Sequence, residues 1–290
     1  MPTCKSTVHS LFGKALQNCG VRSSPKEPVL PLRKIVGGKT ASVQEWPWIA
    51  ALLLNNEVVC GGSLVAPGYV VTAAHCFSTD ADINHWKVVL GQNRPLQSHS
   101  NAGSNIISLK KHPLFLNNAP TFEKPSDYDI DALLGTVTYI YTLFRSAVIK
   151  LASNTTLDKS ILPICLLPEG ASFNLKSNCH VLGWGRTTWR GPQSPVLQEI
   201  RVDMVPIEIC NREECYNGTI HERVFCAGPA SGGCGPCQFD SGGPLACEDN
   251  GLWYLNGLVS YGIGCALPNK YGVYSNMYQF TSWVKNETSL

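Results

Sequence analysis

Residues 237–245 read CQFDSGGPL. Ser241 stands between an acid and a Gly-Gly-Pro turn, and an apolar run follows it. A serine in such a setting is usually no more than a turn residue. Two other segments change its reading. VVTAAHC (70–76) puts His75 beside a cysteine at the end of an apolar run. DYDI (127–130) offers Asp127 and Asp129 in apolar company, and Asp131 follows at once. Alone, a histidine is usually a satisfied surface or core residue, and an aspartate at a strand end a cap. In the order His, Asp, Ser they supply a base, an orienter and a nucleophile. A serine hydroxyl is a poor nucleophile until a base accepts its proton. A neutral imidazole does this near pH 7. A buried carboxylate fixes the tautomer and stabilises the imidazolium.

Composition sets the frame for these residues. With 290 residues, 44% of them hydrophobic, the chain can build one sizeable core or two packed halves. Charged residues make up 15% and the net charge is +2, with Lys and Arg scattered. That pattern excludes a nucleic-acid surface and a polyacidic tail. Thirteen cysteines point to a disulfide framework in an oxidising compartment. The acceptor sequons at Asn154, Asn217 and Asn286 agree with that compartment. A zinc site needs clustered Cys and His pairs, and the only close pair is Cys234 and Cys237. Their CGPC tetrapeptide is also a redox motif, but no βαβ context surrounds it. No metal and no cofactor are expected.

Residues 1–20 hold no apolar run of signal-peptide length. The expectation is therefore a fragment or isoform of a longer precursor, secreted or membrane-anchored. The longest greasy stretch, 132–144, is too short to span a bilayer. Residues 1–34 read as a pro-segment rich in Pro and charge, without helix or strand period. Beyond them, β-branched and aromatic runs are cut by Gly, Pro and Asn. Runs at 57–60, 69–72, 87–90, 178–184, 252–261 and 272–276 predict an all-β sandwich or barrel. One helix is expected near the end, over 278–285, with Phe280, Trp283 and Val284 on its apolar face.

The motifs, taken together, resemble the chymotrypsin/trypsin family of serine proteases over residues 35–285. They are IVGG (35–38), WPW (46–48), CGGSLV (60–65), TAAHC (72–76), PICLLP (163–168), GWG (183–185), FCAG (225–228), DSGGPL (240–245) and GVY (272–274), in family order. CALPN (265–269) and the Cys19-Gly20 start are similar to the mosaic, enteropeptidase-like and transmembrane members. The resemblance implies two six-stranded antiparallel β-barrels with a C-terminal helix and a site between the barrels. It implies a serine endopeptidase with His75 as base, Ser241 as nucleophile and Asp129 as orienter, Asp129 being preferred to Asp127 and Asp131 on the Asp-Ile pattern. It also implies protein or peptide substrates, protein inhibitors and a monomer.

A switch is implied as well. Cleavage after Lys34, by an activating protease that cuts after basic residues, would free the amine of Ile35 to pair with Asp240. Burying that ion pair costs desolvation, which makes it a switch more than a stabiliser. The resemblance pairs Cys60 with Cys76, Cys179 with Cys247, Cys210 with Cys226 and Cys237 with Cys265. It also pairs Cys19 with Cys165, which would tether the pro-segment. Cys4, Cys215 and Cys234 are left over, and a bridge from Cys215 to Cys234 is expected. The specificity pocket maps to Gly235 at its floor, Gly262 and Gly272 in its walls, and Ser260 and Tyr261 on the strand that pairs with substrate. An uncharged floor and glycine walls predict cleavage after large apolar or aromatic residues.

Two departures from the family pattern stand out. Phe239 occupies the place of a glycine whose N–H, with that of Ser241, forms the oxyanion hole. A positive φ there strains a bulky residue by about 1–2 kcal/mol or flips the peptide. A flipped peptide costs ~100- to 1,000-fold in rate. In addition, residues 131–146 read as an insertion, apolar and β-prone, beginning two residues past Asp129. Both departures favour a second reading, an impaired protease homologue that serves as an extracellular binding module.

Overall fold

The computed structural model of the chain describes residues 19–22, 38–78, 80–96, 103–114, 146–168 and 177–290. After the two-residue strand β1 (Lys39–Thr40), six strands close into an antiparallel barrel. They are β2 (Ile49–Leu54), β3 (Glu57–Ala66), β4 (Tyr69–Ala73), β5 (Trp86–Leu90), β6 (Ser104–Lys111) and β7 (Ser146–Leu151), in the order β2-β3-β4-β7-β6-β5. Closure removes every free edge from this half. Register shifts at Leu52/Leu53, Leu64/Ala66 and Ile106/Ser108 insert the bulges that bend the strands around. The barrel strands bury Leu52, Leu64, Val71, Val88 and Ile149 in one core.

The second half is one sheet made of β8 (Cys165–Leu166), β9 (Asn178–Gly183), β10 (Gln198–Val202), β11 (Met204–Val205), β12 (Val224–Ala227), β13 (Pro244–Asp249), β14 (Leu252–Tyr261) and β15 (Gly272–Asn276), joined by β1. The strand order is β1-β10-β9-β13-β14-β15-β12-β11, with β8 parallel to β14. Six strands, from β10 to β12 in that order, are the counterpart of the first barrel; β1, β11 and β8 are short additions. A helical turn α1 (Ile207–Cys210) joins β11 to the loop before β12. The all-β, two-part architecture expected from the sequence is therefore present. Its strands start and stop close to the runs read from residue type, and 252–261 and 272–276 agree to the residue. The main difference is β3, which continues past Cys60 through two glycines to Ala66.

The C-terminal helix α2 covers Thr281–Thr288, three residues later than expected, and a tight turn at Met277–Gln279 comes before it. Asn276 caps that turn, its side chain accepting from the Tyr278 N–H at 3.2 Å. Phe280 has φ −113° and separates turn from helix. Met277, Phe280 and Val284 are buried, so one apolar stripe anchors both. Among the described residues no helix is long and apolar enough to cross a membrane. The stretch read as an insertion lies outside the described residues except for Ser146. Ser146 is buried in β7 and pairs with Ala73, so the strand takes up the chain one residue earlier than expected.

All five disulfides implied by the resemblance are formed: Cys19–Cys165, Cys60–Cys76, Cys179–Cys247, Cys210–Cys226 and Cys237–Cys265. Bridges of this kind each contribute about 2–5 kcal/mol. The expected Cys215–Cys234 bridge is absent, and both remain thiols. The reason is packing. Cys215 sits with Tyr216 and Tyr271, whereas Cys234 packs against the cluster of Cys179 and Tyr274. Burial pushes both thiols above their usual range. Cys4 lies outside the described residues.

Residues 19–22 are stitched to the sheet. The Gly20 N–H donates to Pro163 O at 2.8 Å, and the Trp253 N–H donates to Gly20 O at 3.0 Å. The Arg22 guanidinium lies over Trp46 and Trp253, 4.5 and 4.3 Å from the ring centroids. Beneath it, His180 packs between the same two rings. Trp46 Nε1 donates to the buried Glu199 carboxylate, whose other oxygen meets Lys39 Nζ at 2.7 Å. Burial holds the His180 pKa down to about 4; Arg22, Lys39 and Arg201 act the same way, and Glu199 opposes them. In the unfolded chain His180 takes a proton near pH 6.5, but in the fold it resists until about pH 4. This histidine therefore stabilises the fold above pH 6.5, and its contribution is lost as pH falls toward 4. Thermal melts of His180→Gln should show a smaller loss of Tm over that window than melts of the parent. An unchanged pH profile would contradict the assignment.

Candidate active site

The apolar run of β4 ends at Ala73, and residues Ala74–Phe77 turn over in a single tight helical turn. The turn carries His75, half-buried, out of the barrel wall. Its flanks are fastened. Cys76 is bridged to Cys60 on β3, and the Phe77 ring packs on Trp86 with centroids 4.4 Å apart.

Ser241 lies on a turn that leads into β13. The Asp240 N–H donates to Cys237 O at 3.1 Å, and the Gly243 N–H to Asp240 O at 2.9 Å. From the first barrel, the Gly61 N–H donates to Ser241 O at 2.8 Å. The Cys76 sulfur lies 3.8 Å from that same carbonyl, so the residue next to His75 borders the serine turn. Gly242 takes φ 76°, a conformation that favours glycine. A Cβ there would strike Thr72 Oγ1 and lie 2.7 Å from the Ala73 nitrogen. A Cβ on Gly61 would lie 2.8 Å from Gly243 Cα. This is why β3 carries a glycine at 61, past the end of the run read from the sequence: the halves approach backbone to backbone there, and no side chain fits between, whereas a Cβ on Gly62 would press on Val70 and Leu52 inside the barrel. The structure thus brings the segments of His75 and Ser241 together. Asp129 lies outside the described residues, as do Lys34 and Ile35.

Asp240 is buried, at 1% exposure. Its carboxylate accepts from the Gly185 N–H at 2.7 Å and the Cys237 N–H at 3.0 Å. A Cβ on Gly183 or on Gly185 would collide with it, so the GWG motif makes room for the acid. Burial raises its pKa to about 7, against the pull of those two N–H groups.

The pocket residues also converge. Gly235 is buried, and a Cβ there would lie 3.9 Å from Ala266. A Cβ on Gly272 would lie 2.9 Å from Pro236 Cγ and 3.0 Å from the Tyr274 hydroxyl. Gly262 faces Gly264 O, the Tyr216 hydroxyl and Tyr271 O, each 3.8 Å from an added Cβ. A register shift between Val259 and Tyr261 leaves Ser260 bulged and buried at the strand end, with Tyr261 half-buried beside it. The groups meeting around Gly235 and Gly272 are uncharged. Pro236 and Tyr274 escaped the sequence reading. The alternation in GVY was the available signal, because residues 272 and 274 share one face of β15. Among the described residues no group of His, Cys, Asp and Glu is arranged to hold a metal.

Phe239 has φ 77°. The backbone thus keeps the left-handed shape expected of a glycine there, at a cost of about 1–2 kcal/mol. The Arg186 guanidinium lies 5.4 Å from the Phe239 ring centroid. Such a contact returns about 0.5–1 kcal/mol at an exposed site. Arg186 was not singled out in the sequence, and no local pattern links it to Phe239.

A pH prediction follows from Asp240. Below pH 3.8 the carboxyl is protonated both folded and unfolded. Between there and about pH 7 the unfolded chain ionises while the fold holds its proton, so stability falls as pH rises. The slope from this one group is at most about 1.4 kcal/mol per pH unit. In the uncleaved chain, Asp240→Asn should remove that slope between pH 4 and 7 in denaturant titrations. The same slope in both proteins would refute it.

The comparisons with known proteins agree with this geometry. The trypsin family model matches residues 35–284. Human testisin is 33% identical over 298 residues, an alignment covering 95% of this chain and 88% of the relative. The matched span takes in both halves of the fold, the His75 turn and the Ser241 turn, and the chain belongs to the trypsin family of serine proteases.

Proposed function

We propose that the chain is the zymogen of an extracellular serine endopeptidase working through an acyl-enzyme. The carrying observation is the bond from Gly61 N–H to Ser241 O, which seats the serine turn beside the turn bearing His75. His75 accepts the Ser241 proton as the hydroxyl attacks the peptide carbonyl. Asp129 orients His75 and stabilises its charged form. The N–H groups of Phe239 and Ser241 receive the developing oxyanion. The protonated His75 then hands its proton to the leaving amine, and water repeats the sequence on the acyl-enzyme.

Cleavage after Lys34 frees the Ile35 amine, and Asp240 is its partner. A buried carboxylate held by two backbone N–H groups, with its pKa near 7, is poised for an arriving cation. An ammonium group beside it favours the ionised form and repays part of its desolvation. The five disulfides fit an oxidising compartment, and the sequon residues Asn154, Asn217 and Asn286 are all exposed.

The uncharged floor at Gly235 and the glycine walls support a preference for large apolar or aromatic residues before the cut bond. Protein after cleavage at Lys34 should be labelled by a fluorophosphonate probe, and Ser241→Ala should not. It should hydrolyse Phe-ending substrates faster than Arg-ending ones. The reverse order would overturn the pocket assignment. The positive φ at Phe239 favours one rival, a homologue impaired in catalysis that binds proteins outside the cell. Absence of labelling after verified cleavage would establish that rival.

A further inference from the structure

We infer that Arg186 is a positioning residue that clamps Phe239 and so holds the peptide bearing the oxyanion donor; the inference rests on the serine-protease reading of Ser241. The Arg186 N–H donates to Gln238 O at 3.0 Å, and the neighbouring Gly185 N–H donates to the Asp240 carboxylate at 2.7 Å. Two consecutive N–H groups thus stitch down residues 238 and 240 on either side of Phe239. In a trans peptide the N–H points away from its own carbonyl. Fixing Gln238 O therefore fixes the opposite direction for the Phe239 N–H.

The side chain adds the part that a glycine would not need. Phe239 sits half-buried at φ 77°, where an ordinary residue stays only if its surroundings hold it. The Arg186 Nη1 donates to Gly191 O at 2.8 Å, which anchors the guanidinium on the adjoining loop. From there the guanidinium covers the Phe239 ring at 5.4 Å. The ring is the handle and the arginine the clamp. The main-chain bonds survive Arg186→Met and Arg186→Lys, which keep the backbone N–H; only the clamp is changed. The consequence is a coupling between two positions 53 residues apart, detectable because it vanishes when residue 239 has no ring.

The test uses protein cleaved after Lys34, with Arg186→Met, Arg186→Lys, Phe239→Gly and the Arg186→Met/Phe239→Gly pair, and Ser241→Ala as blank. The readouts are the fluorophosphonate labelling rate, and kcat and KM on one Phe-ending ester. Arg186→Met should lower kcat by about 10-fold, less than the ~100- to 1,000-fold cost of losing an oxyanion donor outright, and leave KM within about 2-fold. Arg186→Lys, which keeps a cation over the ring, should recover part of the loss. In the Phe239→Gly background the same Arg186→Met change should alter kcat by less than about 2-fold. Equal losses in both backgrounds, or no loss in either, would overturn the clamp while leaving the Ser241 chemistry standing. Failure of every variant to label would instead remove the serine-protease reading and the clamp with it.

Discussion

The Gly61 N–H donates to the carbonyl of Ser241 across the join between the two halves, and the site depends on that bond. It ties a strand of the closed barrel to the turn that opens β13. Around it the two backbones are so close that Gly61 and Gly242 leave no room for a Cβ. The Cys60–Cys76 bridge then fastens the His75 turn to the residue just before Gly61. The segments of His75 and Ser241 come from separate sheets, and their spacing is set by backbone contacts that cannot be widened without losing a hydrogen bond. A rigid frame of this kind meets what nucleophilic catalysis demands, because small misplacements of reacting groups cost large factors in rate.

Asp240 stands on the same turn and shows how the frame stays adjustable. Its carboxylate is out of water and satisfied only by the backbone of Gly185 and Cys237. A buried acid without a counter-charge leans toward its neutral form, which is the physical content of a pKa near 7. The acid lies between Phe239 and Ser241. Any change in its charge is therefore felt where the oxyanion would bind. The opposite titration of His180, at the far docking site of residues 19–22, acts in nearly the same pH range with the opposite sign.

Phe239 shows a second kind of compromise. A residue with a side chain occupies a conformation made for glycine, and an arginine from the next loop covers its ring. The strain is local and the compensation is tertiary. Natural chains depart from local preference in this way at functional sites more than elsewhere.

Much of the molecule was legible from residue order alone. β-branched and aromatic runs and the turn residues between them placed β14 and β15 to the residue, because residue type and its punctuation are properties of chain neighbours. The segments holding His75 and Ser241 were marked by their motifs, and the five cysteine pairs came from the resemblance to the family. What failed to show in the sequence was contact between remote residues. The run read at 57–60 stopped short of Gly61, whose place in β3 is set by the second half of the molecule, with Gly243 Cα 2.8 Å from where its Cβ would be. Cys215 and Cys234 looked like partners by elimination, yet packing put them in different clusters. The Tyr274 hydroxyl came up against Gly272, and Arg186 met Phe239, only once the strands were assembled. By itself the sequence determined strands, turns and chemical inventory, since those depend on neighbours along the chain. Tertiary structure alone decided which backbones touch and which strained residue is held, because that depends on how the closed barrel and the second sheet pack.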